Sequence, residues 1–165
     1  MRRAFFCLLL CFLLVFGACA PHGEDWFAAV SGDLTAELAG TLHGAEFAAT
    51  LTLFARNEAG VREATLTFYA PEALCGTVVK RDGTGVLFIG AEGLLIPSEA
   101  ASGFLPLLEL FPDGGTVQEV AMEGELCRIT GEGFTLLLHA DGTPAACSNE
   151  AVYAEVKSFQ VESNG

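Results

Sequence analysis

Positive charge is scarce in this 165-residue chain, which has 8 Lys and Arg against 21 Asp and Glu and a formal net charge of −13. Arg2 and Arg3 stand at the extreme N-terminus, and Arg56, Arg62, Lys80, Arg81, Arg128 and Lys157 are scattered over the rest. Binding to phosphate backbones rests on clustered Lys and Arg that displace counterions, so anionic head groups are poor partners and no nucleic acid is expected. The acidic balance suits a soluble surface or a cationic partner.

Metal-ligand spacing is also lacking. His43, His139, Cys75, Cys127 and Cys147 form no pair at finger-like separation, and no loop carries oxygen ligands in the calcium-binding pattern, so no metal is expected. No nucleophile, base and orienting group share a motif. Gly83-Thr84-Gly85 and Gly131-Glu132-Gly133 are too short to cradle phosphate and read as hairpin turns. The sequence predicts no catalytic residue, no cofactor and no enzyme. Fixed-period repeats and low-complexity tracts are absent as well.

Hydrophobic residues make up 52% of the chain, and much of that excess lies at the start. Phe5 to Phe16 is an apolar run behind a short basic n-region, of signal-peptide length and too short to span a bilayer securely. It ends in Val15-Phe16-Gly17-Ala18-Cys19, which resembles the lipobox of bacterial lipoproteins: an apolar residue, small residues, then cysteine. The resemblance implies that residues 1–18 are a signal peptide and that Cys19 carries lipid, palmitate included, as the mature N-terminus. Residues 19–24 would be a tether, and the protein would lie on a membrane facing the periplasm or the cell surface. A plain secretory signal cleaved after Ala18 or Ala20 is the alternative.

Loss of Cys7 and Cys11 with the signal, and modification of Cys19, leaves Cys75, Cys127 and Cys147. One disulfide and one free thiol can be arranged in three ways. Cys127 with Cys147 is favoured, because both lie in the C-terminal third on segments separated by one hairpin. In an anaerobic host all three would instead be small buried hydrophobes.

Beyond residue 30 the pattern has period two. Leu34, Ala36 and Leu38 alternate with polar or small residues, as do Phe47, Ala49, Leu51 and Leu53, with a turn at His43-Gly44 between the two runs. A third strand carries Ala64, Leu66 and Phe68 and stops at Pro71. One hairpin is expected, 75–79 with 86–89, and strands near 116–120, 125–129, 134–139, 145–147 and 152–159. Asp25 is placed to cap a brief helical or extended stretch through Trp26, Phe27 and Val30. Ser98 is placed to cap the one clearly helical segment, where Phe104, Leu107, Leu108 and Phe111 fall at helical spacing and Pro106 limits its regularity. About nine antiparallel strands with one helical insert make a mainly β (α+β) domain over residues 25–162, expected to be monomeric.

In order, these features resemble the LolA-like and LolB-like half-barrel lipoprotein carriers. The likeness runs through the paired strands 34–42 and 47–55, the strand ending Phe68-Tyr69-Ala70-Pro71, the apolar segment 104–111, and Leu136 to Pro144 before a closing strand. It implies a strongly curved antiparallel sheet with the helical insert on its concave side, where an apolar ligand, a lipid or acyl chain, would bind. Leu51, Leu53, Leu66, Phe68, Phe88, Leu136 and Leu138 would line that face, and Phe104, Leu107, Leu108 and Phe111 would form its lid. The same residues would equally serve as a core between sheet and helix. No basic residue is placed to latch the lid. A structural or accessory envelope lipoprotein, with no ligand and a protein partner on its outer surface, is the competing expectation.

Overall fold

Alternating apolar side chains make a strand two-faced, and eleven strands, most of them with that alternation, form one sheet in the computed structural model, which describes residues 23–162. They are β1 (Leu34–Leu42), β2 (Ala45–Arg56), β3 (Arg62–Ala70), β4 (Thr77–Arg81), β5 (Leu87–Ala91) and β6 (Leu94–Pro97). The second run is β7 (Val117–Glu123), β8 (Leu126–Gly131), β9 (Phe134–Leu138), β10 (Pro144–Ser148) and β11 (Val152–Val161). The expected signal, Cys19 and most of the tether lie outside the described residues.

The spatial order is β6-β5-β4-β3-β2-β1-β11-β10-β9-β8-β7, with every neighbouring pair antiparallel. Two meanders of successive hairpins therefore meet at a central seam where the first strand pairs with the last, from Leu34 opposite Val161 to Leu42 opposite Val152. At Gly40 the backbones run so close that an added Cβ would lie 1.9 Å from the Tyr153 carbonyl oxygen. The sheet is curved and unclosed, and its two edges, β6 and β7, are consecutive in sequence. The mainly β half-barrel expected from the pattern is the architecture found.

Residues 98–116 join the two edges by crossing the concave side. Ser98 caps this stretch as expected, its Oγ accepting from the Ala100 amide at 3.3 Å. The segment is not one helix. A 3₁₀ helix, Glu99–Phe104, leads into a single α-helical turn, Leu105–Leu108. Pro106 explains the break: it lacks the amide that a continuing helix needs, yet fits the first turn of a new one. A second cover, the α-helix Gly23–Val30 (α1), contains Asp25 inside its first turn rather than ahead of it. Its Trp26 is buried against Phe159 and Phe111, with ring centroids 6.0 and 6.4 Å away.

Candidate functional site

The concave face is built from Ala36 and Leu38 on β1, Leu51 and Leu53 on β2, Leu66 and Phe68 on β3, and Leu136 and Leu138 on β9, all at most 2% exposed. Leu107, Leu108, Leu110 and Phe111 of the crossing segment reach down to them and are equally buried. Half-buried Phe104 packs its ring 5.2 Å from that of Phe68. Ten of the expected ligand positions thus come together, and each is in contact with the protein's own side chains in one hydrophobic cluster. Burying one such Leu or Phe contributes about 1.5–3 kcal/mol, so this centre stabilises the fold.

Phe88 is the exception. Leu66 pairs with Val79 and Val79 with Ile89, so Ile89 shares the concave face, whereas Phe88 pairs with Lys80 and points the other way. The apolar run Val86 to Ile89 hides the alternation, and a shift of one residue exchanges the faces.

The cover leaves the flanks of this face bare. Opposite Ile89 and Ala91 stand Ile96 and Leu94 of β6, on the same concave side but 58% and 71% exposed. An open groove of about 620 Å³ lies at the Leu87 end of the same strand pair, between Val86, Leu87, Pro97, Ser98, Glu99 and Ser102, and neither Leu94 nor Ile96 lines it. At the far edge, Val120 and Met122 of β7 continue the line of Ile129 and Cys127 and are 45% and 65% exposed. The β6 part of this surface is not legible in the sequence, because Leu94-Leu95-Ile96-Pro97 has no alternation to mark a strand.

A latch also exists, contrary to expectation. Arg56 holds Asp113 by two hydrogen bonds, Nε to Oδ2 at 2.7 Å and Nη2 to Oδ1 at 2.8 Å. Arg62 is buried and donates to the carbonyls of Phe54, Phe111 and Gly32 at 3.0, 3.3 and 3.1 Å and to that of Val30, with Asp113 3.8 Å from Nη1. Arg81 reaches Glu109 at 2.9 Å and donates to the Arg62 carbonyl. Three arginines on β2, β3 and β4 therefore fasten the end of the crossing segment, and Arg62 also ties down α1. Burial raises the Asp113 carboxyl, but the Arg56 hydrogen bond and the charges of Arg56 and Arg62 outweigh it and hold the group below its ordinary range. Burial likewise lowers Arg62, partly offset by Asp113.

The expected Cys127–Cys147 bridge is not formed. Both are buried free thiols on β8 and β10, with β9 between them: Cys127 pairs with Leu138 and Cys147 with Leu136. Two strand spacings are about 10 Å, beyond disulfide reach. Burial pushes the Cys147 thiol up, so it is not an activated nucleophile. Cys75 is exposed.

No family model and no curated protein matches this sequence. Among solved structures, an uncharacterized conserved protein from Thermus thermophilus is similar at 12% identity and TM-score 0.50, over 83% of both chains. MucB is similar at 11% identity and TM-score 0.51, over 87% of this chain, which spans 58% of MucB. A domain from Vibrio parahaemolyticus described as a putative outer membrane lipoprotein-sorting protein domain aligns at 8% identity and TM-score 0.44, over 87% of this chain and 91% of that one. At such identities the first two likenesses establish a shared fold and nothing about ligands.

Proposed function

We propose that this chain is a lipid-tethered, outward-facing binding module, not an enzyme, and that it holds an acyl chain against the exposed β6 edge of its concave face. Cys19 is the anchor in this reading. The observation that carries the ligand is the pair Leu94 and Ile96, large apolar side chains exposed in line with the half-buried Ile89. The centre of the face is an unsuitable seat because the protein's own side chains occupy it. That filled centre favours the second reading, an accessory envelope lipoprotein that binds a protein and no lipid.

Native mass spectrometry with lipid extraction distinguishes them, applied to residues 20–165 exported into an envelope compartment without the acyl anchor. A stoichiometric lipid that disappears in the Leu94→Ser, Ile96→Ser variant is expected. A ligand-free mass for the parent chain sinks the lipid reading and leaves the accessory one. Anchoring is tested separately: incorporation of a labelled palmitate should vanish with Cys19→Ala, and retained label would refute it.

A further inference from the structure

The two sheet edges are unequally defended. β6 has four residues, ends in Pro97, which offers no amide, and turns at once into the crossing segment, where the Ser98 amide bonds the Leu87 carbonyl. β7 has seven residues without proline or lysine, regular from Glu119 to Glu123 after one irregularity near Gln118. Among the described residues nothing pairs with its outer side. An edge of this length presents a row of unmatched donors and acceptors, and natural sheets ordinarily blunt such edges.

Side chains on β7 then narrow the occupant. Val120 and Met122 face the concave side and are exposed, while Glu119, Ala121 and Glu123 face the convex side. Arg128 on β8 stands 3.7 and 3.8 Å from the two glutamates, one cation for two anions, in a chain of formal charge −13. Pairing with a second copy, antiparallel and centred on Ala121, would set Glu119 opposite the copy's Glu123, and like charges directly opposite each other destabilise a ladder. An extended segment alternating apolar with basic residues meets the reverse situation. Its backbone completes the ladder, one face lies beside Val120 and Met122, and its cations lie beside Glu119 and Glu123.

We infer that β7 is a docking edge for an extended, basic, alternating segment of another protein, which adds to the sheet as a twelfth strand. The site is distinct from the β6 edge and stands whether or not that edge binds lipid.

The test uses the full chain in a nonionic detergent and a fluorescent peptide alternating lysine and valine. Its controls are the glutamate–valine peptide and a lysine–valine peptide methylated on alternate backbone nitrogens, which keeps the charge but blocks strand addition. Expected are binding at least about tenfold tighter for the unmethylated basic peptide than for either control, and a similar loss in the Glu119→Lys, Glu123→Lys variant, whose changes are at exposed positions. Amide exchange over Glu119–Glu123 should slow on binding. Equal affinity for the methylated peptide would reduce the effect to charge adsorption and overturn the proposal. So would the absence of binding, or protection of β7 that rises with protein concentration when no peptide is present, which would identify the occupant as a second copy.

Discussion

Along one concave face, the strip over β1 to β3 and the outer strand β6 carry the same kind of residue and meet different fates. Leu51, Leu66 and Phe68 are sealed by the crossing segment, whereas Leu94 and Ile96 lie beyond its reach. The 3₁₀ helix packs against β5, where Leu87 and Ile89 are half-buried, and leaves Leu94 and Ile96 of β6 exposed. Identical chemistry is thus core in one place and surface in the other. The division is tested by perturbing each strip and the latch between them.

The largest effect is expected at the sealed strip. Phe68→Ala removes the ring that Phe47 and Phe104 pack against and should cost about 3–5 kcal/mol, read as a lower urea midpoint at unchanged slope. A cost near zero would mean that this strip is not core. Next comes the latch. Arg62→Met leaves four carbonyls without their donor and should cost about 3 kcal/mol, with faster amide exchange along 99–111 than elsewhere. Uniform exchange would show that Arg62 does not hold the cover in particular.

A smaller effect is expected from pH. The Asp113 carboxyl titrates below its unfolded value, so its contribution is complete above about pH 4 and fades as pH falls through the lowered folded value. The acid limb of the stability curve should therefore be shallower in Asp113→Asn, as denaturation across that range would reveal. Least affected should be the bare strip, where Leu94→Ser with Ile96→Ser should change stability by no more than about 0.5 kcal/mol. A loss of several times that size would move these two side chains into the core and close the comparison.

How much of this was legible depended on whether the signal was local. β1, β2 and β3 read clearly because their alternation is strict, His43-Gly44 supplies two successive positive φ angles for the turn, and Pro71 ends β3 at Ala70. Leu94-Leu95-Ile96-Pro97 carries no alternation, so β6 went unread, and the same kind of continuous run put Phe88 on the wrong face. The latch was out of reach for another reason. Arg56 and Asp113 are 57 positions apart, and only the path of the crossing segment brings them together. Cys127 and Cys147 misled in the same way: proximity in sequence concealed the strand that separates them.

The seam between β1 and β11 also governs how the sheet must assemble. A chain made from its N-terminus completes the meander β1 to β6 long before Val152–Val161 exists, so β1 waits as an open edge for its partner. Closing the sheet at its middle requires the most distant strand pairing among the described residues, a non-local contact of the kind that slows folding. Removing the last strand would therefore strand both meanders as separate half-sheets, each with a raw inner edge, instead of trimming one border from an otherwise finished fold.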